Sequence, residues 1–153
     1  MLQRKQTIWM LVALICALLT FKFAFYFGNM KVGINGIAPL EVKAMPVFGA
    51  GSVSAGSGSI LILIVTITLI GGILINIFNF RDRKKQFWIT IGLFVLSLLN
   101  ILLYWWRSGV PPFESGNYSL GALLTLTIPV FLIMAARGMR KDDKLVKSAD
   151  RLR

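Results

Sequence analysis

ILILIVTITLIGGILINIFNF (residues 60–80), RDRKKQ (81–86) and FWITIGLFVLSLLNILLYWW (87–106) follow one another without interruption. Each apolar run has about the 20 residues that a helix needs to cross the hydrocarbon layer of a bilayer. Neither run contains an Asp, Glu, Lys or Arg, whereas the six residues between them include Arg81, Arg83, Lys84 and Lys85. An uncompensated charge at mid-depth costs roughly 2.5 kcal/mol or more, so this sorting is what a lipid surrounding imposes. The short basic turn reverses the chain, and the pair reads as an antiparallel helical hairpin.

Two further apolar runs lie outward from this hairpin, at residues 7–27 and 120–136, the second near the lower length limit for a span. The expected fold is therefore all-α: an integral membrane bundle of four transmembrane helices with both termini cytoplasmic. The composition agrees, with 56% hydrophobic and only 15% charged residues in a chain of 153. Arg4 and Lys5 ahead of the first run resemble the start of a secretion signal. However, the bulky aromatic end of that run has no small-x-small cleavage site, so it reads as an uncleaved helix.

The Lys and Arg count sets the orientation. One side collects Arg4, Lys5, Arg81, Arg83, Lys84, Lys85, Arg137, Arg140, Lys141, Lys144, Lys147, Arg151 and Arg153, and the other only Lys22, Lys31, Lys43 and Arg107. The richer side should be cytoplasmic. Trp9 and Trp88 fall at that edge, and Tyr26, Tyr104, Trp105, Trp106 and Tyr118 at the outer one, where indole and phenol rings favour the headgroup level. The net charge of +11 is thus read as positive-inside bias and attraction to anionic phospholipid, with no nucleic-acid partner expected.

The outer loop at residues 28–59 carries Pro39 and Pro46. Its part at 31–48 makes either a β-hairpin turning at Asn35-Gly36 or a surface-lying segment, and 49–59 reads as a Gly/Ser linker. The second outer loop, 107–119, is too short for a domain. The tail, 137–153, reads as a basic helix continuing from the fourth span. It has a possible bend site at Gly138 and a thin stripe of Leu145, Ala149 and Leu152 to lay against the inner surface; a frayed, solvated tail is the alternative.

Within the spans, Asn76 and Asn100 are the large polar side chains. Matching levels across the hairpin sets Asn76 beside Thr90 and Asn100 beside Thr66. Each pair is placed for an interhelical hydrogen bond of roughly 0.6–2 kcal/mol. Lys22, the one charge inside a span, lies close enough to its outer end to snorkel. Gly71 and Gly72 allow close helix approach, and Pro129 should bend its helix. Cys16 is the single cysteine and there is no histidine, which excludes an internal disulfide, haem held by axial His and a His-ligated metal site. Glu41 and Glu114, the two glutamates, fall in outer loops. No catalytic, metal or cofactor site is expected.

Three segments resemble a known family: the opening MLQRKQT (residues 1–7), the turn FRDRKKQ (80–86) and the ending RKDDKLVKSADRLR (140–153). They look like a family of small bacterial four-span proteins called domain of unknown function 4293. The resemblance implies an inner-membrane location and the same topology, and it supplies no catalytic residues. Members sometimes carry the label of the transcription terminator Rho, but this sequence lacks the phosphate-binding loop that role needs. The expected role is a small inner-membrane accessory or scaffold protein. It would offer a basic cytoplasmic face to lipid and to another membrane protein, through Arg81, Arg83, Lys84, Lys85, Arg140, Lys141, Lys144, Lys147, Arg151 and Arg153. The alternative is a component of a transporter or channel.

Overall fold

A computed structural model describes residues 5–32, 36–42, 57–79, 83–109 and 115–150. In α1 (Lys5–Leu19) the buried positions are Gln6, Met10, Ala13 and Ala17, and in α2 (Ser57–Phe78) they are Ile62, Thr66, Leu69, Ile73 and Asn76. In α3 (Arg83–Gly109) they run Gln86, Thr90, Leu93, Ser97, Asn100, Tyr104 and Ser108. In α4 (Leu120–Asp150) they include Ala122, Thr125, Ile128, Leu132, Ala135 and Met139. Steps of four and three dominate throughout. That spacing keeps one seam of each helix against its neighbours along the whole length.

The helices pack in a ring in which α1 touches α2 and α4, and α3 touches α2 and α4. Side-chain pairs fix the directions. Asn76, near the end of α2, reaches both Met10 early in α1 and Thr90 early in α3, so α2 is antiparallel to both. Gly138 lies over Gln6, while Gly121 bonds to Ala24 beyond the other end of α1, so α4 is antiparallel to α1. One end of the bundle thus gathers the start of α1, the end of α2, the start of α3 and the region of α4 around Met139. The main core holds Met10, Ala13, Ala17, Leu69, Ile73, Ile128, Leu132 and Ala135. The close approach of α2 to α3 depends on Gly72, where a Cβ would sit 2.5 Å from Leu93 Cδ2, while Gly71 faces open space.

The first helix departs from the sequence expectation. It ends at Leu19, not Phe27, and the chain turns through tight bonds from Phe21 N to Leu18 O and Lys22 N to Leu19 O. Residues 20–25 form this turn, and the run's last two residues, Tyr26 and Phe27, already belong to a strand. Lys22 is consequently exposed in this turn, outside any helix.

Strands β1 (Tyr26–Val32), β2 (Gly36–Val42) and β3 (Ser115–Tyr118) form an antiparallel sheet in the order β2-β1-β3. The hairpin alternative for the outer loop is therefore the one observed, but it begins earlier than expected, at Tyr26. Its register sets Gly36 opposite Val32, so Gly36 belongs to the strand and not to the turn; Asn35 lies outside the described residues. Pro39 pairs with Asn29 on β2, an edge strand, where a missing N–H is tolerated. β3 rises from the second outer loop, for which no strand was expected. The second core, with Phe25, Val42, Ile62, Tyr104 and Ala122, joins sheet to helices. Of the expected linker at residues 49–59, Ser57 to Ser59 already belong to α2, and 49–56 lie outside the described residues.

Helix α4 runs unbroken through Pro129 and Gly138 to Asp150, so the tail begins as its direct continuation. Gly138 serves contact here: a Cβ would lie 3.3 Å from Gln6 Cβ. Gly121 is tighter still, because its Cβ would drive into the Ala24 carbonyl. Gly121→Ala should therefore lower unfolding stability by about 1–3 kcal/mol, the usual cost of overpacking. Gly71→Ala, in open space, should be neutral or slightly stabilising. Denaturant titration in detergent micelles checks both, and equal effects would contradict the packing described.

Candidate functional site

The bundle is inverted relative to a water-soluble one. Asn76 is 0% exposed and its neighbour Ile75 is 66% exposed. The same holds along the seams: Gln6, Thr66, Gln86, Thr90, Ser97, Asn100 and Thr125 are buried, while Ile8, Ile15, Ile64, Ile67, Val95, Leu99, Leu102, Leu123 and Leu126 face outward. Three helices contain stretches long and apolar enough to cross a membrane, at Ile60–Phe78, Lys85–Gly109 and Leu120–Lys141, with a shorter apolar stretch at Gln6–Leu19.

The buried polar groups form two rungs between α2 and α3. At the basic end, Asn76 Nδ2 donates to Thr90 Oγ1 at 2.8 Å and approaches Met10 Sδ at 3.5 Å. Thr90 Oγ1 donates to Gln86 O at 2.8 Å and lies 3.6 Å from Met139 Sδ. Gln86 Nε2 completes the rung by donating to the Asn76 carbonyl at 3.1 Å. At the other rung, Asn100 Nδ2 donates to Thr66 Oγ1 at 3.3 Å, and Thr66 Oγ1 donates to Ile62 O at 2.7 Å. Both residue pairs drawn from the hairpin register are thus brought together. Gln6 Oε1, Asn76 Oδ1 and Gln86 Oε1 are buried acceptors without a donor among the described residues. The Tyr104 hydroxyl faces Thr66 and Thr20 without a well-formed bond to either.

The basic residues divide by position. Lys85, Arg140 and Lys141 are exposed at the end where α3 begins, and the Arg140 guanidinium lies 4.7 Å over the Phe87 ring. Arg83 and Lys84 open α3, and Lys144 and Lys147 lie on the last turns of α4; of these four only the backbone is described. Arg81, Arg151 and Arg153 are outside the described residues, as is Leu152 of the expected tail stripe. Of the aromatic residues assigned to interfaces, Tyr104 is buried and stacks on Phe25 at 4.7 Å, while Trp9 is half-buried against Phe131 at 5.8 Å. Trp88, Trp105, Trp106 and Tyr118 are exposed.

The sequence reading missed Gln6 and Gln86. Both were assigned to cytoplasmic ends, yet each stands four residues before another buried residue, Met10 and Thr90, and that spacing was available as a signal. The sulfur contacts of Met10 and Met139 had no such signal. Among the described residues no three His, Cys, Asp or Glu side chains cluster in a way that could hold a metal ion. Amides and hydroxyls in this arrangement can lock a register; they carry no charge at neutral pH.

The two rungs differ in length, and their coupling should differ accordingly. A double-mutant cycle of Asn76→Ala with Thr90→Ala should give a coupling of about 0.6–1.7 kcal/mol, the range for interhelical hydrogen bonds within bundles of this kind. The cycle of Thr66→Ala with Asn100→Ala should give a smaller one. Unfolding in mixed micelles measures both, and a reversed order would contradict the geometry.

Over residues 2–152 the chain matches the family model described as Domain of unknown function (DUF4293). Neither a curated protein nor a solved structure matches it. Since the match covers nearly the whole length and all four helices, the chain belongs to the DUF4293 family.

Proposed function

We propose that this protein is a non-catalytic, four-pass protein of a bacterial inner membrane, with both termini in the cytoplasm. In this reading it acts as an accessory or scaffold subunit that presents its basic end to anionic lipid and to a second membrane protein. The observation that carries the reading is the distribution of polarity: large aliphatic side chains outside, with amides and hydroxyls set among the apolar groups inside. In water this would leave an apolar surface far beyond what a soluble monomer carries, whereas lipid is its natural solvent.

Lengths support the same arrangement. At 1.5 Å per residue, α2 and α3 are about 33 Å and 40 Å long, against a hydrocarbon layer of about 30 Å. Helix α4, at about 46 Å, outruns the layer and carries residues 142–150 beyond it on the basic side. Helix α1 reaches only about 22 Å, and the turn after it completes the passage. Non-helical backbone is tolerated at depth where protein buries it. Ala24 and Phe25 are buried, and their carbonyls accept Gly121 N and Ser119 N while Phe25 N donates to Val42 O. The absence of His and of any Asp or Glu from the apolar runs supports a non-catalytic role.

The topology has a direct test in a Cys16→Ala background. A cysteine at Asn117, which is exposed on strand β3, should react with an impermeant maleimide in intact cells. One at Lys141 should react only after permeabilisation. Labelling of Lys141→Cys in intact cells would reverse the orientation, and release of the protein by alkaline carbonate would remove it from the membrane altogether. Purification in mild detergent tests the scaffold role, which predicts one membrane protein recovered in constant ratio; recovery of the chain alone would sink it.

A further inference from the structure

Between α3 and α4, at the basic end, a groove with a cavity of about 180 Å³ runs along the helices. Its bed is apolar: Ile91 and Phe94 from α3, Leu132 and Ile133 from α4. Its mouth is cationic, formed by Arg137 and Arg140 beside the Phe87 ring. The spacing builds it. Ile133, Arg137 and Arg140 follow at steps of four and three, so the two guanidinium groups stand above the apolar bed on one face of α4. From Ile133 to Arg140 the helix rises about 10 Å, which sets the length of the groove. The volume is below the roughly 300–1,000 Å³ of an enclosed small-molecule pocket, so the groove suits one flexible chain laid along it.

We propose that this groove is the seat of one anionic phospholipid, its phosphate held between Arg137 and Arg140 and one acyl chain lying over Ile91, Phe94 and Ile133. The inference rests on the membrane reading above and adds a defined site to it. Charge complementarity selects the occupant. Among the described residues two guanidinium groups and no acid line the groove, and planar guanidinium groups pair with phosphate oxygens through parallel hydrogen bonds. Arg140 is already placed at the mouth, its guanidinium carbon 4.7 Å over Phe87, a contact that orders the side chain without using up its charge. Arg137, Arg140 and Ile133 are all exposed, so the groove opens sideways to surrounding lipid. A membrane lipid can enter it by lateral diffusion, head at the basic end and tail toward the middle of the bundle.

Native mass spectrometry of the full-length protein, delipidated in mild detergent and given phosphatidylglycerol or phosphatidylcholine with matched acyl chains, tests the site. One phosphatidylglycerol should be retained in preference to phosphatidylcholine. The Arg137→Gln, Arg140→Gln double variant should bind it about tenfold more weakly, and the corresponding double Lys variant should keep part of the preference. Ile133→Trp, which narrows the groove and leaves both arginines, should also weaken retention; both altered faces are exposed, and helicity by circular dichroism checks that each variant folds. Equal retention of the two lipids, wild-type retention by the Gln double variant, or a lipid-free dimer would overturn the proposal. Any of these in a protein that resists carbonate extraction leaves the membrane reading standing. Loss of the protein from membranes defeats both.

Discussion

On the membrane reading proposed above, everything in this bundle follows from having no water on its outside. A helix whose outer face is Ile, Leu, Val and Trp gains nothing from hiding more of the same, so apolar burial gives little drive for association in lipid. What remains is contact and polarity. Small residues at Ala13, Ala17, Gly72, Ala135 and Gly138 let backbones approach, and the Asn76–Thr90 and Asn100–Thr66 rungs fix where along their length α2 and α3 meet. A slide of one helical turn would leave the Asn76 and Asn100 amide N–H groups without their threonine acceptors. An unmade buried bond costs more than a made one contributes, so the rungs act mainly by excluding the wrong alignments.

The same need for satisfied backbone explains the odd end of α1. In the proposed membrane setting, stopping at Leu19 exposes carbonyl and amide groups at a level where lipid offers no partner. The chain resolves this by borrowing: the start of α4 donates to Ala24, Ser119 donates to Phe25, and Val42 accepts from Phe25. The sheet is thus structurally continuous with the helices, and the Phe25–Tyr104 stack ties its first strand to α3. A cluster of Phe25, Tyr26 and Tyr118 rings adds edge-on contacts where β1 meets β3.

The hairpin of α2 and α3 was legible because its signals are local: two uncharged runs, a basic turn of fixed length, and asparagines rare enough to be matched by level. The inward-facing pairs at 66/100 and 76/90 came from that register alone. The sheet was less legible. Strand β1 starts at the end of an apolar run, where composition masks the change from helix to strand, and β3 is four residues whose only reason to extend is a partner far away in sequence. Tyr104 misled for a related reason. A tyrosine near a span end usually seeks the headgroups, but here the second core covers it. The arginine groove needs two helices brought side by side, so neither Arg137 nor Ile91 stands out in one dimension.

The order of strands also constrains how the molecule is made. β1 lies in the centre of the sheet, paired with β2 just after it and with β3, which arrives only after α2 and α3 have been synthesised. At roughly 5–20 residues per second the ribosome needs several seconds to close that gap. During this interval one edge of β1 presents unpaired N–H and C=O groups, and Ala24 and Phe25 wait for the start of α4. An open strand edge invites pairing with any other extended chain. In the proposed orientation the nascent protein therefore passes through a half-built state whose exposed edge lies on the outer face.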